Sequence, residues 1–266
     1  MKKTFDIYAR CRAGTRRVPS HIIRMRLVLL FAFFVSPAMA ADNACIRQVV
    51  DKTDYLVCQF EPAKHDLRLF LNDTNGDPFG HFNVLAESLA RKGEKLVFGM
   101  NAGMYHQDRS PVGQYVEGGE TLKPLNTNDG PGNFHMKPNG VFWIKGDRAG
   151  VTTDGKEGAD YATQSGPMLV IDNEIHPRFL PKSTSLKRRN GVGVTPGGTV
   201  IFVLADTPVR FYDFALFFRD VLKTPNALYL DGTISRLYAP ALGRNDPGAA
   251  MGPIIGVVAP NAEGGQ

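Results

Sequence analysis

Val200-Ile201-Phe202-Val203-Leu204, a helical stretch over 209–223, and then Leu228-Tyr229-Leu230-Asp231-Gly232 decide the fold of this 266-residue chain. Both apolar runs are hydrophobic nearly throughout, as strands covered on two faces are. Between them Phe211, Phe214, Ala215, Phe218, Val221 and Leu222 recur at helical spacing, and Pro225 follows soon after. Strand, helix, strand reads as a crossover unit joining two parallel strands. Asp206 and Asp231 then follow strands at one edge of the sheet, where ligands collect in open α/β sheets.

Outward from this unit, strands are also read at 55–60, 67–71, 96–100, 140–144, 168–171, 191–195 and 254–258, most of them bounded by Gly, Pro, Asn or Asp. A second helix is read from Phe82, Leu85, Ala86, Leu89 and Ala90, with Gly93 as its stop. Short strands and long glycine-rich loops predict an α+β single domain: one strongly curved mixed β-sheet flanked by a few helices. There is no internal repeat, low-complexity tract or interdomain linker.

The formal charge of +5 misleads. Residues 1–40 hold eight basic side chains and one acid, leaving 23 basic against 25 acidic in the remainder, a net of −2. A basic leader is no argument for a nucleic acid partner, and none is expected. Residues 1–40 read as a signal peptide: a positive stretch, the apolar run Leu27 to Val35, and an A-x-A cleavage site at Ala38-Met39-Ala40. That run is about nine residues, short of the roughly 20 that span a bilayer. Met25 offers an alternative start, and an uncleaved anchor is the competing reading. The expected protein is therefore a domain over 41–266, periplasmic or secreted, with no stable membrane span. Cys11 lies in the leader, leaving Cys45 and Cys58 as an even pair in an oxidising compartment. They flank the turn-forming 51–54, so a disulfide across a hairpin is expected; two buried free thiols are the alternative.

Three strands run into polar clusters punctuated by glycine: Asn101-Ala102-Gly103-Met104-Tyr105, Gln164-Ser165-Gly166-Pro167 and Asp231-Gly232. The missing Cβ lets a ligand or another backbone approach. Together the three predict a polar pocket at the rim of a sheet.

These clusters, with Pro138-Asn139-Gly140-Val141-Phe142, Arg189-Asn190-Gly191-Val192-Gly193 and Leu230-Asp231-Gly232-Thr233-Ile234-Ser235, resemble the phosphodiester glycosidase family over about residues 65–258. The resemblance implies an exported or lumenal α+β domain that hydrolyses a sugar–phosphate diester. Two departures stand out. Thr233 and Ile234 replace two family glycines, and Arg189-Asn190-Gly191 stands where the family has Arg-Thr-Ala.

Such a bond already has a good leaving group, so the catalyst must chiefly stabilise an oxocarbenium-like sugar and the departing phosphate. Asp231 is the expected catalytic carboxylate, against a role capping the turn before Gly232. Arg189 suits the phosphate because its planar fork gives bidentate bonds, unless it merely belongs to a basic face with Lys182, Lys187 and Arg188. Asp206 is a candidate for activating water, or a helix lead-in with Thr207 and Pro208. His106 is a candidate proton shuttle, or a solvated loop histidine. Asn101, Gly103, Tyr105, Gln164, Ser165, Gly166, Gly232 and Ser235 are expected around the substrate. No zinc helix, nucleophile elbow or phosphate loop is present, so no metal or cofactor is expected. The expected partner is a carbohydrate or sugar-phosphate from an envelope glycan. A carbohydrate-binding or envelope-assembly protein without turnover, and a glycosidase without phosphate, are the competing classes.

Overall fold

The computed structural model describes residues 44–261. The leader, with Cys11 and Met25, lies outside them. The chain begins with β1 (Cys45–Val50) and β2 (Thr53–Phe60), a hairpin turned by Asp51 and Lys52 at positive φ. Then come β3 (Asp66–Phe70), α1 (Phe82–Ala90) and β4 (Glu94–Asn101). The middle third is strands alone: β5 (Tyr115–Glu117), β6 (Glu120–Lys123), β7 (Gly140–Lys145), β8 (Arg148–Thr152), β9 (Tyr161–Ser165), β10 (Met168–Ile171) and β11 (Glu174–Ile175). Next are β12 (Lys187–Val194), β13 (Val200–Val209), α2 (Phe211–Leu216) running into a π-helical turn Phe217–Val221, and β14 (Asn226–Asp231). The chain closes with β15 (Leu237–Ala239), β16 (Arg244–Asn245) and β17 (Ile254–Pro260).

These strands form three sheets rather than the single mixed sheet expected. Their orders are β1-β2-β13-β12-β14-β10-β11, β16-β15-β4-β17-β3 and β6-β5-β9-β7-β8. Neighbouring strands are antiparallel throughout. The crossover unit is present, but β12 lies between β13 and β14 and runs against both, so the two are parallel without touching. Residues 206–208, one reading of which was a helix lead-in, are the last part of β13.

Period-two alternation explains why the strands of the first sheet read as continuous apolar runs. Leu56, Phe60, Phe202, Leu204, Val192, Leu228 and Leu230 face a core shared by all three sheets. Their neighbours Tyr55, Val57, Ile201, Val203 and Tyr229 face α2, packing on Phe214, Phe217 and Phe218. On the second sheet Leu96, Ile254 and Val258 lie under Phe82, Leu85 and Leu89 of α1. Helix α1 stops at the expected place: the Gly93 N–H bonds the Ala90 carbonyl and its φ is +73°. Cys45 and Cys58 face each other across the β1–β2 register and are joined by a disulfide.

At the centre Phe202 meets Phe60 and Phe142 from the first and third sheets and Phe98 from the second, with centroids 6.3, 5.8 and 5.0 Å away. Phe202 is fully buried. Phe202→Ala is expected to cost about 3–5 kcal/mol of unfolding free energy, read by urea denaturation, because three sheets cannot collapse into one hole.

Candidate active site

The ends of β4, β12 and β14 meet at a pair of buried amides. Asn101 ends β4 and is 1% exposed; Asn190 lies in β12 and is fully buried. The Asn190 amide nitrogen donates to Asn101 Oδ1 at 2.9 Å, and the Asn101 amide nitrogen returns a bond to Asn190 Oδ1 at 3.4 Å. Each Oδ1 also takes a backbone N–H from the loop after β14: Asp231 N–H to Asn190 at 2.8 Å, and Arg236 N–H to Asn101 at 2.9 Å. Ser235, nearly buried, donates from Oγ to the Asp231 carbonyl at 3.0 Å and to Asn190 Oδ1 at 3.4 Å. The amide pair thus positions the 231–236 loop.

Asp231 ends β14 two residues beyond Tyr229, across an irregularity in the pairing with β12. Its carboxylate accepts the Gly232 N–H at 2.5 Å. Burial pushes its carboxyl above the usual carboxylate range, partly offset by the amides of Gly232, Ile234 and Thr233. Burial also raises the Tyr105 hydroxyl; the Asp231 charge adds to this, and Arg109 and Arg236 oppose it. That hydroxyl is buried without a hydrogen-bond partner among the described residues. Burial, and then the Asp231 charge, raises the Tyr229 hydroxyl, and the Arg189 guanidinium lies 5.6 Å from the Tyr229 ring centroid. Asp231, Tyr105, Tyr229 and the arginines thus form one polar cluster at the rim.

Arg189 is in this cluster but does not present itself to a substrate. It is 1% exposed, and its Nε donates to the Val209 carbonyl at 2.9 Å while Nη2 donates to Ser185 at 3.3 Å. The guanidinium stacks 3.6 Å from the Phe211 ring centroid. Burial lowers its pKa. Buried between Phe211 and Tyr229 with Nε and Nη2 on carbonyls, Arg189 is a core residue rather than a phosphate clamp or part of a basic face.

Other expected site residues serve the frame. Gln164 Oε1 accepts the N–H groups of Gln114 and Asn126 at 2.8 and 2.9 Å, and Nε2 donates to the Asn126 carbonyl at 2.9 Å. Ser165 Oγ donates to the Leu230 carbonyl at 2.8 Å. At Gly103 a Cβ would collide with the Gln164 carbonyl, and at Gly166 it would stand 2.9 Å from the Phe134 carbonyl, so these glycines admit backbone. Asp206 is held by Arg244 at 2.5 and 2.8 Å and by Arg188 at 3.0 Å. Those arginines overcome the cost of its burial and hold its carboxyl below the usual range, which removes it from proton transfer. His106 is exposed on a loop closed by its backbone bonds to Ser110 and Arg109, and among the described residues its imidazole has no hydrogen-bond partner. Gly232 packs against the Tyr229 hydroxyl.

Asn190, Tyr229 and Arg236 were not among the expected site residues. The signal for Tyr229 was its two-residue spacing from Asp231; for Asn190 it was an amide inside an apolar strand. Among the described residues no group of three or more His, Cys, Asp or Glu gathers as a metal site. A cleft of about 610 Å³ lined by Lys64, His65, Asp160 and Tyr161 shares no residue with the cluster.

Residues 94–258, from β4 to β17, match the model of the phosphodiester glycosidase family. The chain belongs to this family. Uncharacterized protein YigE of Escherichia coli (strain K12) is 34% identical over 219 residues, covering 80% of this chain and 84% of YigE. The fold is similar to the catalytic domain of zebrafish N-acetylglucosamine-1-phosphodiester alpha-N-acetylglucosaminidase, auto-inhibited by its pro-peptide, with a TM-score of 0.56 and 13% identity over 80% of this chain and 81% of that one. A protein of Burkholderia pseudomallei K96243 has a TM-score of 0.53 at 11% identity, covering 77% and 74% of the two chains. The phosphodiester glycosidase region includes every strand-end cluster from Asn101 to Asp231.

Two outcomes follow from this geometry. Asn190→Ala removes the partner of three donors and two acceptors and is expected to cost about 2–4 kcal/mol, measured by chemical denaturation. Because Asp231 binds its proton more tightly folded than unfolded, the native chain loses stability as pH rises through and above its ordinary value of 3.8. The stability of Asp231→Asn relative to the native chain is therefore expected to climb as pH rises above 3.8 in paired thermal melts.

Proposed function

We propose that the protein is an exported hydrolase that cleaves a glycosyl phosphodiester in an envelope glycan or related sugar-phosphate. The observation that carries this reading is the setting of Asp231: a carboxylate at the end of a buried strand, held by loop amides and shifted by burial, inside a domain of the phosphodiester glycosidase family. The Cys45–Cys58 bridge supports a periplasmic or secreted location, where disulfides persist.

Asp231 faces the anomeric carbon and offsets positive charge developing on the sugar ring. Water adds to that carbon, the bond from carbon to phosphate oxygen breaks, its electron pair leaves with the phosphate, and the water's second proton passes to the departing phosphate or to solvent. The products are a free sugar and a phosphomonoester. Little acid assistance is needed, which agrees with the lack, among the described residues of the cluster, of a second carboxylate beside Asp231. Tyr105 keeps its proton at neutral pH, because burial and Asp231 raise it.

The test is incubation of the mature protein with a panel of glycosyl-1-phosphodiesters, with products resolved by mass. Asp231→Asn is expected to lower kcat by about a thousandfold or more while ligand binding persists. Native turnover is expected to fall on acidification as Asp231 protonates, since only the charged form stabilises the cation. A protein that binds phosphoglycans but releases neither sugar nor phosphomonoester is a carbohydrate-binding or envelope-assembly protein instead.

A further inference from the structure

A diester site needs a cation for the phosphate, and Arg189 is committed elsewhere. Arg236 has the opposite character. Its backbone is fixed by the Asn101 amide, so it is tied to the same frame as Asp231. Its side chain is half-buried; Nη1 donates to the Ala249 carbonyl, while Nε and Nη2 have no partner among the described residues. It makes no ion pair there, in contrast to Arg188, Arg210 and Arg244. The guanidinium lies flat against Gly248, where a Cβ would collide with it.

Arg236 also lines a pocket of about 260 Å³ together with His81, Asn83, Asn245, Asp246 and Met251. The one carboxylate there, Asp246, is neutralised by Arg244 at 2.7 Å and accepts the Leu237 N–H at 3.1 Å. Arg236 therefore meets no uncompensated carboxylate among the residues that line the pocket. Met251 of the pocket wall is followed by Gly252, where a Cβ would collide with the Tyr105 ring, so the pocket adjoins the cluster rather than lying across the molecule.

We infer that Arg236 holds the phosphate of the substrate, and that the pocket it lines receives the phosphoryl side of the scissile bond. This rests on the hydrolase reading above. An unpaired guanidinium edge matches two phosphate oxygens, and the half-buried setting strengthens the bonds. The 231–236 loop then carries the sugar-facing carboxylate at one end and the phosphate-facing cation at the other. Thr233 and Ile234, where the family usually has glycine, set the spacing between them.

The experiment is calorimetric titration of the mature, disulfide-bonded protein with inorganic phosphate and with glycerol 3-phosphate, at constant ionic strength and with acetate as comparator. Both phosphates are expected to bind competitively, and acetate weakly. Arg236→Gln is expected to weaken both by about tenfold or more, and Arg236→Lys by less. Asn245→Asp, at an exposed position on the pocket wall, is expected to weaken both while leaving the melting temperature unchanged. The inference is overturned if Arg236→Gln and Asn245→Asp keep native affinity, or if only Arg109→Gln loses it. Binding is read apart from turnover, so the two readings fail separately. Arg236-dependent phosphate binding without diester hydrolysis sinks the hydrolase alone. Hydrolysis with unchanged kcat/KM in Arg236→Gln sinks this assignment alone.

Discussion

The reciprocal bond between Asn101 and Asn190 is the constraint on which the rest depends. It joins the last residue of β4 in one sheet to β12 in another, where no backbone ladder connects them. Two buried amides are costly to desolvate, and here each finds both a partner and a further backbone donor. The apolar core holds the sheets together but is indifferent to small slides; directional bonds between amides are not. The 231–236 loop takes its position from them, and with it the carboxylate and guanidinium proposed to act on the substrate.

Much of the fold was legible in sequence because the main strands and both helices bury apolar faces. Nine strands and two helices follow from runs and periodicity alone. The strands left out are short or polar. β6 is exposed at three of four positions, and β9, Tyr161-Ala-Thr-Gln-Ser, is buried through its hydrogen bonds rather than its composition. Sheet membership was not legible, since alternation tells which face is buried but not against what. A crossover unit suggests neighbouring parallel strands, and only tertiary pairing places β12 between them.

The site was legible in part, for a related reason. Polar residues near glycine mark places where backbones crowd, and crowding serves a frame as well as a ligand. Gln164, Ser165, Gly103 and Gly166 belong to the frame: their bonds and missing side chains let the loops around β9 close on the strand ends. Arg189 shows the limit most clearly. A charged residue in a basic run reads as a surface group, yet stacking on Phe211 and two carbonyl acceptors make it a core residue. The reverse holds for Arg236, which nothing in its neighbours distinguishes and which the structure leaves unpaired.

The amide pair has one further consequence. Neither side chain ionises, so the joint between the two sheets is blind to acidity, while the carboxylate it positions is not. Proton concentration can therefore turn the proposed chemistry down without loosening the architecture, a separation that suits the exported role proposed above.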